Sequence, residues 1–129
     1  MADWEFLTDG FRDPEAAREN GPSGIEGATL ARAVRAELSL LGFDCEEVAP
    51  EEFGWAFHAT GPEGRYLLAF TLEPEAGGAL WGRVAVSKRR SLGDRLRGLN
   101  EDGPNEALPG AVRRFLTGRP EIRGFRDMG

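Results

Sequence analysis

Residues 55–72 read WAFHATGPEGRYLLAFTL. Large apolar side chains fall on alternate positions in both halves, Trp55 and Phe57 before the break, Leu68, Phe70 and Leu72 after it. A period of two marks a half-buried β-strand. The intervening Gly61-Pro62-Glu63-Gly64 is made of turn-forming residues, so the two halves fold back on each other as an antiparallel hairpin. The same alternation returns at residues 80–87 (LWGRVAVS) and, more weakly, at 43–48, which makes this part of the chain an antiparallel meander. Residues 73–79 form a longer link in which Gly77-Gly78 supplies positive φ.

Upstream, Leu30, Val34, Leu38 and Leu41 recur at three- and four-residue spacing and predict a helix over residues 25–41. Ser23 and Glu26 have the spacing of a capping box, and Gly42 is placed to end the helix. Residues 4–8 read as a strand, whereas 9–24 are dense in Gly, Pro and Asn and leave room for a turn or two of helix at 14–20. Downstream, Ser91 and Asp94 predict a short helix at 91–99, which the 100–104 stretch breaks. Pro109 opens a second main helix at 109–117 that presents Val112, Phe115 and Leu116, and residues 121–126 read as an edge strand. The expectation is one α+β domain over residues 1–129, loop-rich at 9–24 and 100–108. Its mostly antiparallel sheet has about 4–6 strands, with two main helices packed on one face.

Alternation also sorts the faces of that sheet. Trp55, Phe57, Leu68, Phe70, Leu72, Leu80, Val84 and Val86 share the side that beds the helices. The other side carries Ala56, His58, Thr60, Leu67, Ala69, Thr71, Trp81, Arg83, Ala85 and Ser87: a floor of small residues with His58, Trp81 and Arg83 standing above it. Such a mixture suits a docking surface, and it also suits a face covered by the 9–24 loop or by a second copy, so a homodimer is compatible with it.

With 40% hydrophobic and 29% charged residues the chain has the composition of a folding domain, not of a disordered one. No apolar run reaches the roughly 20 residues a membrane helix needs, and Asp3, Glu5 and Asp9 stand where a secretory signal would be basic and then apolar. One cysteine, Cys45, rules out an internal disulfide. It fits a reducing cytoplasm, where beside Asp44, Glu46 and Glu47 it is read as a buried, inert thiol. Arginine supplies all the basic residues except Lys88, a bias that suits a GC-rich bacterial genome. The net charge of −6 is uneven: residues 1–64 hold 14 acidic and 4 basic side chains, residues 65–129 hold 8 and 12.

The chemistry-bearing residues point away from catalysis. His58 is the single histidine and lacks a partner at metal-ligand spacing, so neither a metal nor a cofactor is expected, and it reads as a partly exposed structural residue. Asp44, Glu46, Glu47, Glu51 and Glu52 form an acidic patch without the glycine and ligand spacing of a calcium loop, which leaves contact with a cationic partner as its functional reading. Lys88, Arg89 and Arg90 precede the helix expected at Ser91, where free backbone N–H groups attract anions. Nucleic acid is not expected as a partner: the sequence pI is about 4.9, and no recognition motif or phosphate-cradling glycine loop is present.

The expected function is therefore a non-catalytic domain that binds another protein, of basic character, through the mixed sheet face, the acidic patch, or both. In size, acidity and lack of catalytic groups the chain resembles bacterial immunity and antitoxin-type proteins, and the resemblance implies a basic effector as partner. The alternative is a small-ligand or anion-binding domain using His58, Trp81, Arg83 and the 88–91 junction.

Overall fold

The computed structural model describes residues 2–13, 25–89 and 107–128. In chain order these form β1 (Ala2–Thr8), α1 (Ala28–Leu40), β2 (Asp44–Cys45), β3 (Ala49–Glu51), β4 (Gly54–Gly61), β5 (Gly64–Pro74), β6 (Leu80–Arg89), α2 (Ala107–Thr117) and β7 (Ile122–Asp127). The chain is an α+β fold. All pairings are antiparallel and join the seven strands into one sheet of order β2-β4-β5-β6-β1-β7, with β3 sharing the outer edge of β4 with β2. The expected meander is present as β4-β5-β6, and the strand expected at 4–8 closes onto β6 as β1. The helix expected at 91–99, the turns at 14–20 and the breaker stretch at 100–104 lie outside the described residues, as does Ser23.

Register turns the period of two into a packed layer. Trp55, Phe70, Val84 and Trp4 stand side by side across four strands, and Phe57, Leu68 and Val86 form the next row. The eight side chains expected inward are all 5% exposed or less, so at about 1.5–3 kcal/mol each their burial is the main force ordering the sheet. The rings of Phe57 and Phe70 stack with centroids 5.7 Å apart. Two glycines are there because something occupies the place of their side chain. A Cβ on Gly82 would lie 2.4 Å from the Phe6 ring, which folds over it, and one on Gly54 would lie 2.3 Å from the Phe70 carbonyl oxygen, at a φ of 145°.

Both helices lie on this face. In α1, Leu30, Val34 and Leu38 are fully buried, as the spacing predicts. Leu41 is not: it caps the helix and is 53% exposed. The chain leaves the helix there because the N–H of Gly42 donates to the Ser39 carbonyl and that of Phe43 to the Leu38 carbonyl, a closing pair that turns it toward β2. The start also differs from the expected capping box. The backbone of Glu26 is paired with Leu72 of β5, so the helix begins only at Ala28. Its first N–H groups are received by Asp13: Oδ2 accepts from Gly27 and Ala28 at 3.0 and 3.1 Å, and Oδ1 accepts from Thr29 at 2.8 Å. Asp13 and Glu26 are both buried, and the Glu26 carboxylate accepts the N–H of Asp13 at 2.7 Å. In α2, Leu108, Val112 and Leu116 are buried and Phe115 is half-buried.

Both edges of the sheet are irregular. Of the strand expected at 43–48 only Asp44 and Cys45 form β2, with the Glu46 N–H still donating to the His58 carbonyl at 2.8 Å, and the edge resumes as β3 after residue 48. Arg35 donates to the carbonyls of Glu46 and Cys45, at 2.7 and 3.2 Å, and Pro50 in β3 has no N–H to offer. At the opposite edge, β7 pairs with β1 through a bulge at Gly124, whose φ is 61°.

Candidate functional site

The helices cover one face of the sheet, and the candidate surfaces are the other face and its β2–β3 edge. His58, Thr60, Leu67, Ala69, Thr71, Trp81, Arg83, Ala85 and Ser87 share that outer face with Ala56, as alternation predicts. Register adds what alternation leaves open. Ala49, Ala56, Ala69 and Ala85 stand in one row across β3, β4, β5 and β6, ending at Asp3 of β1. Along this row of small side chains only Ala49 is exposed; Ala69 and Ala85 are half-buried and Ala56 is 4% exposed.

The nominated side chains do not converge. His58 is half-buried in a row with Leu67 and Ser87, whereas Trp81 lies six residues along β6 from Ser87, about 20 Å at strand spacing. Trp81 lines a shallow concavity of about 270 Å³ with Leu7, Glu5, Glu75 and Arg126. Arg83 is engaged within the chain: its Nε and Nη2 donate to the two carboxylate oxygens of Asp3 at 2.9 and 2.5 Å. These hydrogen bonds, then the Asp3 charge, hold the guanidinium pKa above its usual value against partial desolvation, with Glu5 adding to the rise. Arg126 pairs with Glu5 and Arg123 with Asp9, each at 3.1 Å, so cations and anions alternate on this half of the face.

Lys88 belongs to the helix-covered side. It faces Tyr66 across β5–β6, with Nζ 6.0 Å from the ring centroid. Arg89 ends β6, and Arg90 with the expected helix start at Ser91 lies outside the described residues.

The acidic residues are strung along the sheet edge: Asp44 stands opposite Thr60 and Glu51 opposite Gly54, six residues apart along β4, about 20 Å at strand spacing. Asp44, Glu46, Glu47, Glu51 and Glu52 are all exposed along the β2–β3 edge. Glu46 pairs with Arg65 at 2.7 Å, and the other four make no ion pair with a described residue. Phe53, 42% exposed, follows Glu52, and its carbonyl accepts the Thr71 hydroxyl of the outer face at 2.8 Å. Cys45 is half-buried beside this edge, not enclosed, and its thiol donates to the Phe43 carbonyl. Sequence reasoning missed Phe53 and Ala49. The signal for Phe53 was a large apolar residue between two carboxylates and a glycine; Ala49 needed the register.

Among the described residues no group of three His, Cys, Asp or Glu side chains is arranged to hold a metal ion, and no helix is long and apolar enough to cross a membrane. Comparison with protein-family models, with curated proteins and with solved structures finds no match.

Proposed function

We propose that the chain is a non-catalytic interaction module that receives a basic partner protein on its acidic edge. The observation that carries this reading is the set of four exposed carboxylates, Asp44, Glu47, Glu51 and Glu52, none in an ion pair with a described residue, of which Glu51 and Glu52 lie away from the hollow that Glu47 shares with Arg32 and Arg35. Unpaired charge of one sign on a rim raises the encounter rate with a partner of the other sign and fixes its orientation. Phe53 gives that rim an aromatic anchor, and the exposed Ala49 beside it leaves the edge low enough for close approach.

Masking of a basic effector in a bacterial cytoplasm, as immunity and antitoxin-type proteins do, is the cellular form of this proposal. The small-anion alternative draws less support: two carboxylates, Glu5 and Glu75, line the concavity at Trp81, and Arg83 is held by Asp3.

The test is affinity capture from the source cell with the wild-type chain and with a Glu47→Lys, Glu51→Lys, Glu52→Lys variant as baits. The proposal expects a partner with an excess of Lys and Arg, released as salt is raised and lost from the variant. A partner retained equally by both baits, or one that is acidic, would refute the assignment of this edge.

A further inference from the structure

A second surface lies on the far side of the molecule from the outer sheet face. Between α1 and α2 runs an open groove of about 340 Å³, lined by Glu37, Leu41, Ala111, Arg114, Phe115 and Arg119. Two observations distinguish it from an ordinary seam between helices. The first is apolar: Leu41, on the lining, is 53% exposed, and Leu40, the last residue of α1 and next to it in sequence, is 84% exposed. A single exposed leucine is normal on a protein surface, but two adjacent ones beside a concavity form a patch.

The second observation is a cation held in place. The Arg119 guanidinium sits 5.5 Å from the ring centroid of Phe11 and 5.3 Å from that of Phe115, while Nη2 pairs with Glu121 at 3.1 Å. Its side chain is still 43% exposed, so the guanidinium faces solvent at the groove with only one Nη engaged by Glu121, unlike Arg83, whose Nε and Nη2 are both taken by Asp3. Ordering Arg119 beforehand removes part of the entropy loss on binding. Arg114, in the last turn of α2 and five residues before Arg119, is exposed and makes no ion pair with a described residue. Glu37 is the one carboxylate on the lining.

From these we infer that the α1–α2 groove docks an amphipathic helix of another protein, one that carries leucine-class side chains along one stripe and carboxylates beside it. The apolar stripe meets Leu40, Leu41 and Phe115, and the carboxylates meet Arg114 and Arg119, a geometry for which a bidentate guanidinium pair is suited. A third helix lying between two packed ones follows the ridges already there. A basic helix would bring like charge against both arginines. The inference is independent of the acidic edge, which lies at the sheet rim and favours a partner of the opposite sign.

The experiment uses the full chain and a fluorescein-labelled peptide of leucine and glutamate at helical spacing, about 18 residues or five turns long, with a second peptide in which lysine replaces every glutamate. Fluorescence anisotropy is expected to give saturable binding of the glutamate peptide only. Arg114→Glu and Leu41→Asp should each weaken it about ten-fold or more, and Glu47→Lys with Glu51→Lys should leave it unchanged, which separates this surface from the acidic edge. Amide shifts of the labelled wild-type chain on peptide addition are expected at residues 37–42 and 111–119, a readout that needs no variant to fold. Equal binding of the lysine peptide, unchanged binding by Arg114→Glu, no saturable binding, or shifts located elsewhere would each overturn the inference. So would a sedimentation result in which Leu40→Glu with Leu41→Glu converts a dimer to a monomer, because the occupant would then be a second copy.

Discussion

Replacing Asp13 with alanine tests how α1 is held on the sheet. The Asp13 carboxylate is the only described side-chain acceptor for the helix's first N–H groups, taking those of Gly27, Ala28 and Thr29 at 3.0, 3.1 and 2.8 Å from a position 4% exposed. Loss of a capping side chain costs up to about 2 kcal/mol. Loss of its negative charge at the positive end of a helix dipole adds about 1 kcal/mol in a partly buried setting. The Asp13→Ala chain should therefore be less stable by about 3 kcal/mol, a fall in Tm of about 10 °C for a domain of this size. Asp13→Asn keeps one acceptor oxygen and so can serve either the Gly27 and Ala28 pair or Thr29 but not both. It should lose about half as much. Guanidinium unfolding followed by tryptophan emission reports this directly, because Trp4 and Trp55 are 2% and 5% exposed and move into water on unfolding. A loss below about 1 kcal/mol for alanine at unchanged m-value, or alanine and asparagine costing the same, would refute the capping role.

Other expectations are as concrete. Phe70→Ala, at a fully buried position stacked on Phe57, should cost about 3–5 kcal/mol in the same unfolding assay. Gly54→Ala should cost more than Gly82→Ala: the first meets the Phe70 carbonyl at a positive φ, whereas the second meets a ring that can shift, for about 1–3 kcal/mol. Arg83→Ala should cost about 1–3 kcal/mol, because Arg83 is half exposed but the Asp3 carboxylate it leaves without a partner is only 10% exposed. The folded-state pKa of Arg83 is raised, so the guanidinium's share of that stability is complete below the ordinary arginine range and is lost only as pH climbs through the raised value. Unfolding profiles of wild type and Arg83→Ala should accordingly run parallel between about pH 6 and pH 9.

The sheet was legible in the sequence because its central strands, residues 54–61, 64–74 and 80–89, combine clean alternation with short links, and alternation assigns a face by local geometry alone. What lay beyond the sequence was set by contacts between distant residues. Ser23 and Glu26 had capping-box spacing, yet Glu26 is taken by Leu72 and the cap comes from Asp13, ahead of a breaker-rich stretch. Residues 43–48 alternate like a strand, but the ladder ends after the Glu46 N–H, where Arg35 takes the carbonyls of Cys45 and Glu46. The candidate surface was legible to the same degree: faces were right, while the pairing of Arg83 with Asp3, 80 residues away, and the separation of His58 from Trp81 required the register. The exposure of the acidic residues was readable from their polarity, while their spread along the edge, from opposite Thr60 to opposite Gly54, required the register.

Both rims of the sheet are spoiled as templates, one by Pro50 and a split strand, the other by the kink at Gly124 with Arg123 and Arg126 flanking it. Another polypeptide therefore gains little by lengthening the ladder, and recognition falls to side chains that project from an already finished framework. Such contacts can be exchanged one charge at a time without disturbing the interior. Substitutions at the β2–β3 corner can therefore change the charge of the surface while Trp55, Phe70 and Val84 stay as they are.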